Sequence, residues 1–137
     1  MTIDFILSQT DGRPMYMQIM EQVKNRVTLG DWPQGHKLPS IREMAVATRV
    51  SIITVKRAYQ ELESEGVIIT QHGKGSFIAQ TENLSVKLKE QEMDKHLSKA
   101  INIAHSINMS LKDLQIKLVD IEKSQNTKTK KPEKYND

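Results

Sequence analysis

The side chains best suited to chemistry lie between Ser51 and Lys74, and what they suit is hydrogen bonding to a polyanion and to the edges of bases. Ser51-Ile52-Ile53-Thr54-Val55-Lys56-Arg57 holds two hydroxyls and two cations within about two helical turns. Hydroxyls and cations bond phosphate oxygens, and a helix that begins here would present Ser51, Ile52, Ile53, Thr54, Lys56 and Arg57 to major-groove base edges. His72-Gly73-Lys74 adds a short basic tip further along the chain. Catalysis has no comparable support: no nucleophile stands with a base and an orienting group, and neither a phosphate-binding P-loop nor a dinucleotide fingerprint occurs. His96 and His105 are nine residues apart, about two and a half turns, so one helix would point them to opposite sides. They cannot share a metal, and no metal or cofactor is expected.

These residues need elements to hold them, and the local signals name the elements. Ser40 and Glu43 have the spacing of an S-x-x-E capping box, so a helix starts near Ile41, with Ile41, Met44, Ala45 and Thr48 as its inward stripe. Val50-Ser51 interrupts that pattern, and Ser51 is an N-cap for a second helix in which Val55, Ala58, Tyr59 and Leu62 recur at i, i+3, i+4 and i+7. Ile52, Ile53, Lys56, Arg57 and Gln60 then face outward. Small Ala45 and aliphatic Val55 stand where two such helices approach closely. Gly66 ends the second helix, after which VIITQ and SFIAQ bracket His72-Gly73-Lys74-Gly75 as a β-hairpin. The predicted fold is α+β: a mainly helical winged helix-turn-helix with a two-stranded wing.

Upstream, Pro14 opens a helix carrying Tyr16, Ile19, Met20, Val23 and Val27 at helical spacing, and Gly30 stops it after about Leu29. Trp32, the only Trp, is expected to plug the gap between this helix and the wing rather than to serve as a ligand platform. Composition sets only bounds. A chain of 137 residues with 37% hydrophobic and 27% charged residues suits one small domain plus an appendage. The net charge of +3 permits nucleic-acid binding without suggesting it. Zero Cys excludes a disulfide framework and a thiolate zinc site, and no apolar run is long enough to cross a membrane. MTIDFILSQTD lacks the marks of a signal peptide, so a cytoplasmic location is expected.

Beyond Phe77 the pattern changes. Met93, Leu97, Ala100, Ala104, Ile107, Leu111, Leu114, Leu118 and Ile121 step by four and three, the a/d seam of a heptad repeat. One continuous coiled coil fits that seam. Asn108 followed by Ser110 and Asp113 favours a break instead, giving a long helix of about 84–107 folded back on a shorter one of about 111–123. Ile101, Ile103, Ile116 and Val119 widen the apolar stripe beyond what one helix pair can bury. A homodimer formed through Leu97, Ile101, Ala104, Ile107, Leu111, Leu114, Leu118 and Ile121 is the expected use of the surplus. The resulting division is a DNA-binding domain at 1–80 (helix-turn-helix about 41–65, wing about 67–79), a helical dimerisation region at 81–124 and a disordered basic tail at 125–137. Lys128, Lys130, Lys131 and Lys134 in that tail are read chiefly as solvated charges.

The ordered set Pro14, Tyr16, Gln18, Ile19, Leu38-Pro39-Ser40, Arg42-Glu43, Ala45, Val50-Ser51, Thr54-Val55, Ala58-Tyr59, Leu62-Glu63, Gly66 and Gly73-x-Gly75-x-Phe77 resembles the GntR-type bacterial repressors over roughly residues 10–80. The helical C-terminal part resembles the YtrA-like subgroup. The resemblance implies a short strand over Ile3 to Ile6, base contact by Arg42, phosphate or base contact by Lys56, and minor-groove approach by His72, Gly73 and Lys74. Arg42 could alternatively pair with Glu43 or Glu61, and His72 could be an ordinary exposed imidazole. The implied function is a dimeric repressor of an ABC transporter operon, binding an inverted repeat in double-stranded DNA. A protein-interaction module using the Ile52-Ile53 edge is the alternative. Relatives often carry polar or basic residues at Ile52-Ile53, so contact with thymine methyls is expected there in their place. Arg49 stands where many helix-turn-helix proteins have Gly, so either it adopts the left-handed region or the turn is built differently. The 57 residues after position 80 are too few for the ligand-binding or aminotransferase-like domains of larger relatives.

Overall fold

Caps and turns decide where each element begins and ends in the computed structural model, which describes residues 3–129. The chain forms α1 (Met15–Thr28), α2 (Ile41–Thr48), α3 (Ile52–Ser64), β1 (Ile68–Gln71), β2 (Gly75–Ile78), α4 (Leu84–Ser106) and α5 (Leu111–Thr129). It divides into two compact units, Met1–Glu90 and Gln91–Asp137.

Helix α2 carries the complete capping box: the Glu43 amide donates to Ser40 Oγ at 3.0 Å, and the Ser40 amide donates to Glu43 Oε1 at 2.9 Å. Ser51 caps α3 in the same sense, its Oγ accepting from the Thr54 amide at 3.1 Å. Arg49, between the two helices, takes φ 60 and ψ 39, so the left-handed conformation is adopted at a residue that has a Cβ. The Val50 amide donates to Ala45 O at 3.2 Å, closing a helix-ending motif that offsets the local strain. Gly66 ends α3 with φ 80, a conformation that costs a glycine little.

The apolar stripes converge on one core. Ile19, Met20, Val23 and Val27 of α1, Met44 and Ala45 of α2, and Val55, Ala58, Tyr59 and Leu62 of α3 are all buried together with Trp32, Val67, Ile68 and Ile78. At about 1.5–3 kcal/mol for each large side chain fully buried, this cluster is what holds α3 against α1 and α2. Tyr59 adds a polar tie, its hydroxyl donating to Pro39 O at 2.7 Å. Burial, and secondarily the Glu43 charge, push the Tyr59 phenol well above its usual range, so it stays a neutral donor. Trp32 does plug the core, stacking on His36 with centroids 5.1 Å apart and tilting against Phe5 at 5.8 Å. Leu84 and Leu88, in the first turns of α4, are buried in the same cluster, so the first unit reaches into that helix.

Strands β1 and β2 pair antiparallel, with Ile68 opposite Ile78 and Gln71 opposite Gly75. A third segment joins the wing, because Lys37 bridges Phe77, the Leu38 amide donates to Ser76 O at 2.8 Å, and the Ile78 amide donates to His36 O at 2.8 Å.

The strand expected over Ile3 to Ile6 does not form. Two glutamine side chains on α1 take the place of a partner strand: the Ser8 amide donates to Gln18 Oε1 at 2.8 Å and Gln18 Nε2 returns a bond to Ser8 O at 2.8 Å. One turn on, Gln22 exchanges bonds with Ile6 in the same way. Once side-chain amides satisfy this backbone, no ladder is needed. Gln18 is the one buried polar residue among those described.

In the second unit the break falls as expected. Asn108 sits at φ 58, the Met109 amide donates to Ala104 O at 2.8 Å and the Asn108 amide to His105 O at 3.2 Å, and Ser110 Oγ then accepts from the Asp113 amide at 3.0 Å to start α5. One continuous coiled coil is therefore excluded. Helix α5 runs to Thr129, past the expected end near residue 123, so residues 125–129 are helical rather than disordered. Asn126 bonding Glu122, and Thr127 bonding Lys123 O, carry the extra turn. The tail lysines Lys130, Lys131 and Lys134 lie outside the described residues.

Candidate nucleic-acid interface

Helix α3 turns one face to the core and the other to solvent. Ile52 is 46% exposed and Ile53 79% exposed, in spite of their apolar side chains, and Ser51, Lys56, Arg57 and Gln60 are exposed beside them, with Thr54 half-buried. Ser51 Oγ and Thr54 Oγ1 lie 2.9 Å apart, so the hydroxyls support each other as well as the helix start. Arg42 is exposed in the first turn of α2. Its alternative role as an ion-pair partner is not realised: the Glu43 carboxylate caps α2, and no carboxylate among the described residues lies within ion-pair distance of Arg42.

Arg57 is neither a free charge nor an ion pair. Its guanidinium carbon sits 3.9 Å from the centroid of the Tyr16 ring, and its Nη2 donates to the Tyr16 hydroxyl at 3.2 Å. A cation over an aromatic face is attracted by the ring quadrupole and loses rotamer freedom. Tyr16 on α1 therefore aims a charge borne on α3, a role the sequence reading missed. The signal available was an aromatic residue on α1 and a cation on the outer face of α3, and only the α1–α3 packing joins them.

His72, Gly73 and Lys74 form the exposed tip of the wing, where Gly73 takes φ 75 and the Lys74 amide donates to Gln71 O at 2.9 Å. Gly75 lies under the alkyl chain of Lys37: a Cβ there would come within 3.0 Å of Lys37 Cε. Lys37 is thereby a further cation on the wing. Among the described residues Lys37, Arg42, Arg49, Lys56, Arg57 and Lys74 have no carboxylate within ion-pair distance, whereas Arg13, Lys24 and Arg26 each do. No group of three or more His, Asp or Glu among the described residues could hold a metal.

In the second unit only Ala104 of the expected dimer residues is buried and Leu114 is half-buried; Leu97, Ile101, Ile107, Leu111, Leu118 and Ile121 remain exposed. The seam is not closed within one chain.

Residues 15–78 match the family model described as bacterial regulatory proteins, gntR family. Over 104 residues the chain is 38% identical to the HTH-type transcriptional repressor YtrA of Bacillus subtilis, covering 74% of this chain and 78% of YtrA. The chain belongs to the GntR family. Other curated relatives are covered less completely, one over 66% of its length and another over 14%. Among solved structures, a transcriptional antiterminator from Listeria monocytogenes EGD-e is similar over 90% of this chain and 92% of its own, with TM-score 0.65 and 36% identity. The DNA-binding domain of AraR in complex with operator ORX1 is similar over 58% of this chain and 99% of its own, with TM-score 0.53 and 25% identity. The gntR match thus takes in α1 to β2, and the chain is a GntR-family transcriptional regulator with a DNA-binding helix-turn-helix rather than an enzyme.

Proposed function

We propose that this GntR regulator is a dimeric repressor that binds an inverted repeat in promoter DNA. The observation that carries the reading is the set of exposed cations without carboxylate partners on α2, α3 and the wing, together with the exposed start of α3. Helix α3 enters the major groove with Ser51, Ile52, Ile53 and Thr54 at the bases, Arg42 bonds a guanine edge through its planar fork, and Lys56 and Arg57 bind phosphate. The wing tip His72-Gly73-Lys74 follows the adjacent minor groove. AraR's structure on its operator and the repressor name of YtrA support the assignment.

A second copy supplies the cover for Leu97, Ile101, Ile107, Leu111, Leu118 and Ile121, since exposed apolar surface of this extent on two successive helices is the ordinary mark of a subunit interface. Two-fold symmetry then sets half-sites about one helical turn apart. The target is an ABC transporter operon, the class implied by the YtrA-like resemblance, and the site of action is the cytoplasm. No helix among the described residues is long and apolar enough to cross a membrane.

Selection of duplexes from a random pool by the purified chain tests this, with Arg42→Ala run in parallel. An enriched inverted repeat that the variant fails to enrich is expected. An unenriched pool, or equal enrichment by the variant, would overturn the assignment.

A further inference from the structure

We infer that Ile52 and Ile53 are specificity residues that read the C5-methyl groups of thymine, so that each operator half-site carries thymine at the base pairs beneath the first turn of α3. This rests on the DNA-binding reading above and deepens it.

The adjacent β-branched side chains at the start of α3 are 46% and 79% exposed, so much of their apolar surface is left unused by the core. The core takes Val55, Ala58, Tyr59 and Leu62 from the same helix, so packing had other residues to draw on. What surrounds the pair identifies its occupant: Arg42, Lys56 and Arg57 stand unpaired on the same outer surface, and Ser51 fixes the helix start by accepting from the Thr54 amide. A protein partner with an apolar groove would have to desolvate those cations. A DNA groove instead supplies a guanine edge for Arg42, phosphate for Lys56 and Arg57 and, at its floor, one apolar group, the methyl of thymine.

The discrimination has two parts. A methyl buried against an isoleucine gains the ordinary hydrophobic contribution of one buried carbon, about fourfold in affinity. Guanine and adenine place the polar N7 where thymine carries its methyl, and an alkyl chain cannot replace the water N7 loses; cytosine lacks the methyl and presents its amino group beside that position. The wing tip His72-Gly73-Lys74 has no comparable apolar group, so its contacts are polar.

The test removes the methyl and nothing else. Duplexes enriched from the random pool by the full-length chain are resynthesised with deoxyuridine in place of each thymine in turn, and affinities are measured for the parent, Ile52→Ala and Ile53→Ala. Both side chains are exposed, so the variants keep the parent's unfolding midpoint, which is checked alongside. The expected result is about fourfold weaker binding on deoxyuridine at one or two positions per half-site, with that penalty absent in one of the alanine variants. Replacing the same thymine by cytosine should cost more, and 5-methylcytosine should recover part of the loss. Equal penalties in parent and both variants, or no penalty at any thymine, would overturn the inference while leaving sequence-specific binding intact. If no duplex is enriched at all, the DNA-binding reading fails and the methyl readout fails with it.

Discussion

Two cationic surfaces on the first unit differ in one respect. Along α1 and the segment before it every strong cation has a carboxylate: Arg13 contacts Asp11 and Glu21, each at 2.5 Å, Lys24 contacts Glu65 at 2.6 Å, and Arg26 is paired with Asp4. Across α2, α3 and the wing Arg42, Lys56 and Lys74 have none among the described residues, and Arg57 is held by an aromatic ring instead. Exposed ion pairs contribute little to stability, about 0–1 kcal/mol each, so the paired surface mainly neutralises itself and fastens the N-terminal segment. The unpaired surface leaves its charge for an external anion. Net charge, only +3, is therefore a poor guide to where this protein offers charge to an anion. Where the carboxylates stand matters more than how many cations there are.

The largest effect that could break this comparison belongs to Arg42. Arg42→Ala should weaken operator binding by about 1–3 kcal/mol and relax selectivity at one base pair, while urea unfolding stays within about 0.5 kcal/mol of the parent. A change in unfolding without a change in binding would place Arg42 on the structural side. Ser40→Ala should act the other way round, costing about 1 kcal/mol of stability through the lost cap at α2. Smaller still is the Tyr16 platform. Tyr16→Phe keeps the ring under Arg57 and should bind nearly as the parent does, whereas Tyr16→Leu should lose about two- to fivefold in affinity by removing a cation–π contact of about 0.5–1 kcal/mol. Equal loss in both would point to the hydroxyl rather than the ring.

Much of the fold was legible because local chemistry and long-range packing agree in this chain. The capping box at Ser40, the N-cap at Ser51, the Val55-Ala58-Tyr59-Leu62 stripe and the Gly66 stop each name their element without help from elsewhere. What escaped depends on partners distant in sequence. Gln18 and Gln22 lie on α1 at i and i+4, and nothing nearby shows that they hold the backbone of Ser8 and Ile6 in place of a strand. The third edge of the wing arises only when Lys37 meets Phe77. Helix α5 outruns its expected end because a polar, lysine-bearing stretch carries no apolar period to mark it as helix, while no Gly or Pro interrupts residues 125–129. In the candidate interface the exposed side chains were legible from the helical repeat, and the Tyr16–Arg57 pairing, which crosses two helices, was not.

On the proposed reading Lys56, which has no carboxylate partner, meets DNA phosphate, and Lys24, paired with Glu65, does not. Binding of the selected duplex across a range of salt concentrations tests it most directly, comparing Lys56→Gln with Lys24→Gln. Each phosphate contact adds close to one unit to the slope of log affinity against log salt. The parent slope should be steep, fall by about one unit in Lys56→Gln and be unchanged in Lys24→Gln. Equal slopes in the two variants, or a parent slope near zero, would contradict it.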